Sequence, residues 1–315
     1  LIQANPRLAS VVSSAIGNKW IYVPTDLRRL MGFSKDAAFQ KKIEQVKTEN
    51  KIDFSNYVKE HYNIDIDPNS IFDVQVKRLH AYKRQLLNVF HILDLYYRLK
   101  ENPDLDIVPR TFIFGAKASP SYYLAKQVIK LINTVADKIN KDTSIKGKIK
   151  VVFVENYRVS LAEKIIPAAD VSEQISTTTK EASGTGNMKF MMNGAVTIAT
   201  LDGANIEIRD EVGDDNIVIF GMKDYEVLNY YKNGGYSAME LYKSDMRLHR
   251  IVDSLIDGTF DVSYNEFKLI YDHLLYQNDE FFVLKDFDSY VNAQNTINEL
   301  YKNKSKWNEM CICNI

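Results

Sequence analysis

Apolar positions give the first picture of this chain. From 5 to about 61 the period is helical: Leu8, Val11, Val12 and Ile16 recur at helical spacing behind Pro6, which suits a helix's first turn, and a second amphipathic stretch runs over 35–46. The period then changes. Ile-Phe-Asp-Val-Gln-Val over 71–76 reads as a strand, and 83–99 follows as a long helix with Leu86, Leu87, Phe90, Leu93 and Tyr97 on one side. The alternation returns as an apolar run at 111–114 before a helix beginning near 120, and as a run at 149–154 before a helix from about 160. Apolar runs at 195–199, 206–208 and 217–220 are read as further strands, and after 223 the pattern is mainly helical, around 239–256, 264–275 and 290–301. This rhythm predicts an α/β fold with a doubly wound, mostly parallel sheet. No repeat, low-complexity tract or Pro-rich linker divides the chain, so 1–315 is expected to be one domain with helical flanks.

Composition narrows the chemistry without changing that picture. With 40 Lys plus Arg against 41 Asp plus Glu, net charge −1 gives no global attraction to nucleic acid or anionic membrane, so any anion binding has to be local. The hydrophobic share of 45% and charged share of 26% fit a folded, water-soluble protein. Cys311 and Cys313 are too few and too close for a disulfide framework or a four-ligand zinc site, which favours a reducing, cytoplasmic setting and no metal. The start, Leu1 to Pro6, lacks the pattern of a signal peptide and lacks an initiator Met, so a piece of a longer protein is expected.

In doubly wound sheets ligands gather beyond the carboxyl ends of strands, where loops feed helix N-termini. Three loops qualify. The first, 77–84, is Lys-Arg-Leu-His-Ala-Tyr-Lys-Arg, with four cations in eight residues; the second, 155–158, is Glu-Asn-Tyr-Arg. The third, Glu-Ala-Ser-Gly-Thr-Gly-Asn-Met-Lys over 181–189, opens a helix. Its two glycines permit close backbone approach, and Ser183 and Thr185 offer hydroxyls, as a phosphate cradle needs. It is not a dinucleotide fingerprint, because Lys189 stands where the last glycine belongs, and Gly147-Lys148 does not complete a Walker loop.

Residues 181–193, Glu-Ala-Ser-Gly-Thr-Gly-Asn-Met-Lys-Phe-Met-Met-Asn, resemble the cofactor signature of the α-glucan (glycogen or starch) phosphorylases. The resemblance extends in order and spacing to 76–88, 155–158, 167–177 and 200–208. It implies the C-terminal, Rossmann-like domain of a GT-B fold, carrying pyridoxal 5'-phosphate as a Schiff base on Lys189. It further implies that Tyr157 and Arg158 lie near the cofactor ring, while Lys77, Thr185 and the Gly186 backbone hold its phosphate. Arg78 and Lys83 are expected to grip the substrate phosphate, and Glu181, Ser183 and Gly184 to bind hydroxyls of the transferred glucose. The implied reaction is reversible phosphorolysis of terminal α-1,4-linked glucose to glucose 1-phosphate with retention, the cofactor phosphate exchanging a proton with the substrate phosphate. A cytoplasmic homodimer is the expected setting of the full-length enzyme.

Plainer explanations apply to several of these residues. A lysine in a helix's first turn is usually a solvated surface group, and only the signature lifts Lys189 above that. Arg84 has no role in the resemblance and is read as part of a solvated basic face; Asp170 is expected to organise hydrogen bonds, and the paired tyrosines at 96–97 and 230–231 to pack. The sequence departs from the family in Thr178-Thr179-Lys180, where an Ala-Gly-Thr-like run is common, and in Ala199, where Gly is usual. The facing N-terminal domain is absent from these residues, so the chain alone is expected to be inactive. Two other readings stand beside this one: a GT-B transferase using a nucleotide sugar, which has no need of Lys189, and a non-catalytic scaffolding fragment.

Overall fold

The computed structural model describes residues 1–315. Two helices, α1 (Pro6–Ile16) and α2 (Ala37–Tyr62), precede the sheet. The chain then alternates through β1 (Ile71–Val76), α3 (Gln85–Glu101), β2 (Arg110–Gly115), α4 (Tyr123–Lys141), β3 (Ile149–Val154), α5 (Val159–Ala168) and β4 (Val171–Gln174). It continues with α6 (Gly186–Met191), β5 (Val196–Ala199), α7 (Asn205–Val212) and β6 (Val218–Ile219). Six helices complete it: α8 (Asp224–Asn233), α9 (Ala238–Ser244), α10 (Met246–Asp253), α11 (Lys268–Leu275), α12 (Val283–Lys302) and α13 (Lys304–Asn314). None is long and apolar enough to cross a membrane.

The six strands form one all-parallel sheet in the order β3-β2-β1-β4-β5-β6. This is the doubly wound arrangement expected, and its switch point falls between β1 and β4. Strand alternation divides the core in two. Ile71, Phe112, Phe114, Val151, Val171 and Ile198 face a large cluster built with α3, α4 and α12. Phe72, Val74, Val76, Ile113, Val152 and Val154 face the other way, onto Phe54 and Val58 of α2 and Leu161 and Ile165 of α5.

Two elements differ from the sequence-based expectation. The run 206–208 lies in α7, not in a strand: Ile206 is 47% exposed and Ile208 only 7%, whereas a strand would put both on one face. β4 was not foreseen as a strand, because Ser172, Glu173 and Gln174 are polar, yet all three are buried. Their burial is met by hydrogen bonds: Gln174 Nε2 donates to Ser172 Oγ at 2.9 Å, Tyr290 Oη donates to Glu173 Oε2 at 2.9 Å, and Gln294 Nε2 donates to Glu173 Oε1 at 2.7 Å. Burial and the neighbouring Asp73 push the Glu173 carboxyl well above its ordinary range.

Candidate functional site

Loops from the carboxyl ends of β1, β3 and β4 meet beside the switch point and enclose a cleft of about 460 Å³. After β1 the chain extends the sheet pairing briefly, with Lys77 N donating to Gly115 O and Leu79 N to Lys117 O, both at 3.0 Å. A tight turn over Ala81–Lys83 then brings Lys83 back over the strand ends. After β3 the chain turns through Asn156 in the left-handed region, φ 51°, which presents Tyr157 and Arg158. Gly115 makes room for that turn, since a Cβ there would lie 3.0 Å from Val76 Cγ1 and 3.4 Å from Tyr157. After β4, residues 175–185 wrap the cleft and lead into α6.

Lys77, Lys83, Tyr157, Arg158, Glu181, Ser183, Gly184, Thr185, Gly186 and Lys189 all line this one cleft. Arg78 does not; it is exposed, and its carbonyl accepts from Gln85 Nε2 at 3.2 Å. Lys83 Nζ and Glu181 Oε2 are hydrogen-bonded as an ion pair, with the Tyr82 hydroxyl donating to the same oxygen at 3.4 Å. Burial is the largest single influence and opposes the charge on Lys83, but the hydrogen bonds and charges of Glu181 and Tyr82 together outweigh it and strengthen proton binding. Lys77 lacks such a partner. Its Nζ donates to the neutral Gln174 Oε1 at 2.9 Å, and burial, reinforced by Lys83, pulls its pKa down to about 8.

The loop that carries Glu181 is held from below by the turn after β5. Asp202, itself buried, accepts from Ser176 Oγ at 2.7 Å, from Thr179 N at 2.9 Å and from Glu181 N at 2.8 Å. Gly203 lies so close that a Cβ would stand 2.6 Å from Ser183 O. Asn205 then fastens the turn to β4 and α6, donating to Gln174 O at 3.2 Å and accepting from Asn187 Nδ2 at 3.1 Å. Gln174, Ser176, Asn187 and Asn205 line the cleft as well and were not among the expected site residues. The resemblance over 200–208 was the available signal for the last of them and for Asp202.

Arg84 corrects another expectation. It is fully buried, in the left-handed region at φ 57°, with its guanidinium on the carbonyls of Ile175 and Ser176 and on Asp286. It is therefore no part of a solvated face.

The cleft suits a phosphorylated aromatic aldehyde such as pyridoxal phosphate. Lys77 is a half-buried cation with no ion-pair partner in contact, the Thr185 side chain makes no capping bond to α6, and a Cβ on Gly186 would meet nothing within 4 Å, so space lies open over that backbone. Lys189 supplies an amine in the same cleft, and Tyr157 a half-buried ring.

The whole chain, residues 1–315, matches the family model described as carbohydrate phosphorylase. Over its full length it is 56% identical to the glycogen phosphorylase of Bacillus subtilis (strain 168), covering 40% of that protein. It is 47% identical to the muscle-form glycogen phosphorylase of Rattus norvegicus and 46% identical to the human liver form, covering 37% of each. The chain thus spans about two fifths of the length of the relatives it matches. A match without gaps in coverage, over every loop that forms the cleft, makes this chain a member of the carbohydrate phosphorylase family.

Proposed function

We propose that this chain supplies the cofactor-carrying half of a glycogen phosphorylase, a hexosyltransferase that releases glucose 1-phosphate from α-1,4-glucan and inorganic phosphate. The observation that carries the reading is the gathering of Lys77, Lys83, Glu181, the 184–186 backbone and Lys189 around one cleft at the switch point. Lys189 tethers pyridoxal phosphate there. When bound, the cofactor supplies a phosphate that ionises near neutrality and so suits proton exchange with a substrate phosphate.

The protein's own groups then divide the work. Lys77 and the backbone at Thr185 and Gly186 hold the cofactor's phosphate, and Lys77 is readied for an anion because its only direct side-chain partner is the neutral Gln174. Lys83 grips the substrate phosphate, and Arg78 joins it by swinging in from the exposed end of its loop. Glu181, Ser183 and Gly184 bind hydroxyls of the transferred glucose, which is released with its anomeric configuration retained. Two dianions side by side repel strongly in a partly dry cleft, which is why cations crowd the loop at 77–84. A facing domain completes the glucose pocket, so these 315 residues alone are expected to be inactive, and the full-length enzyme is read as a cytoplasmic homodimer.

Two measurements test this. Borohydride reduction of the cofactor-loaded protein, followed by peptide mapping, is expected to place a pyridoxyl group on Lys189; an unmodified Lys189 sinks the cofactor assignment. Glucose 1-phosphate release from glycogen by the full-length enzyme, abolished by Lys189→Ala, is expected, and activity that survives that change refutes the role.

A further inference from the structure

A second cavity, of about 180 Å³, lies at the opposite end of the sheet, where Asn69 and Asp170 lead into β1 and β4. It is walled by Lys47 and Lys51 of α2, Tyr301 of α12, and Lys304, Trp307 and Asn308 of α13. Lys47 Nζ donates to the carbonyls of Pro167, Ala169 and Asn193 at 3.1, 2.5 and 3.0 Å. Lys51 Nζ donates to Ser70 O at 2.7 Å, Asp170 Oδ2 at 2.6 Å and Tyr301 Oη at 3.4 Å. Two cations one helical turn apart thus share one buried carboxylate. Lys304 adds a third at the rim, 3.3 Å from the Tyr301 ring centroid, and the only other acid in the wall is exposed Glu44.

The remaining wall is short of acceptors. Trp307 is 3% and Asn308 7% exposed, and neither the indole N–H nor the Asn308 amide makes a hydrogen bond within the protein. Both residues line the cavity wall, so an acceptor that enters it can take up these free donors. The eleven-residue α13 also begins at this cavity, adding the positive end of its dipole.

We propose that this cavity binds a small oxyanion, inorganic phosphate being the simplest, through Lys304, the Trp307 indole N–H and the Asn308 amide, in the field of Lys47 and Lys51. Its volume lies below the range that holds drug-sized ligands and suits a tetrahedral anion. The site is separate from the cleft and does not depend on the catalytic reading.

The chain has two tryptophans, so Trp20→Phe leaves Trp307 as the only indole. Titrating that variant with phosphate, against chloride at equal ionic strength, is expected to give a saturable change in Trp307 emission. Adding Lys304→Gln, an exposed position, is expected to weaken the apparent affinity roughly ten-fold, as loss of one charge-assisted hydrogen bond does. Asn308→Ala is expected to weaken it too, and Lys83→Ala in the cleft to leave it unchanged. No phosphate-specific response, or one reproduced by chloride, overturns the proposal. So does a response lost with Lys83→Ala but kept with Lys304→Gln, which puts the anion in the cleft.

Discussion

Arg84 Nη1 and Asp286 Oδ2 lie 2.7 Å apart, and neither side chain is more than 4% exposed. The pair fastens four segments. Arg84 reaches the carbonyls of Ile175 and Ser176 beyond β4, while Asp286, in α12, accepts from Met222 N beyond β6 at 3.1 Å. Arg84→Met leaves a buried carboxylate unpaired and is expected to cost about 3–5 kcal/mol, read as a lower urea midpoint. Arg84→Met with Asp286→Leu removes both charges and is expected to recover part of that loss. A single variant that unfolds like the wild type contradicts the clamp.

Thr179 stands where the family commonly has glycine, and its φ is +78°. A β-branched residue is strained there, and Asp202 holds it in place through the Thr179 N–H. Thr179→Gly relieves that strain at the cost of a more flexible unfolded chain. The net gain is expected to be about 1 kcal/mol, seen as a higher urea midpoint. A loss of stability would show that the threonine side chain compensates for its backbone.

Lys77 makes stability depend on pH in an identifiable window. Its folded pKa of about 8 lies below the ordinary 10.5, so below pH 8 the folded state carries a penalised charge. Between those values the unfolded chain binds the additional proton, and stability therefore rises with pH. Comparison with Lys77→Met isolates the effect: from pH 7.5 to 10 the wild type should gain on the order of 2 kcal/mol relative to the variant. A gap that does not change with pH refutes the assignment.

Gly203→Ala is expected to push the 181–184 loop out of place, because the new Cβ meets Ser183 O at 2.6 Å and Glu181 O at 3.1 Å, and φ there is +55°. Strain of about 1–3 kcal/mol should appear as weaker retention of pyridoxal phosphate, followed by its absorbance after gel filtration. Gly213→Ala is the control: its φ is +80°, but its Cβ meets nothing within 4 Å, so only global stability should change. Equal cofactor loss in both variants would argue against loop displacement.

The sequence made the frame readable where side chains declare their face. β1 and β3 were bounded correctly because Ile, Val and Phe dominate both runs, with Phe72, Val74 and Val76 giving β1 one wholly apolar face. β4 escaped because Ser172, Glu173 and Gln174 are polar, and the partners that let Glu173 be buried, Tyr290 and Gln294, lie over a hundred residues away. The cleft residues were legible through a long signature; Arg84 was not, since its neighbours Lys77, Arg78 and Lys83 make it look like one more solvated cation. The pattern gave the turn at 202–205 no role for a related reason. Its role lies in hydrogen bonds to another loop, and periodicity does not record those.

The pairing of β1 with β4 has a bearing on how the protein matures. Asp170 Oδ2 accepts from Phe72 N across a sequence separation of 98 residues, beside the β1–β4 ladder that sets the two main cleft loops next to each other. Contacts so distant form late, after the entropy of closing a long chain segment has been met. During synthesis β1, β2 and β3 can begin to pair while the loop with Lys77 and Lys83 still has nothing opposite it. The cleft therefore comes into being only when the two halves of the sheet join.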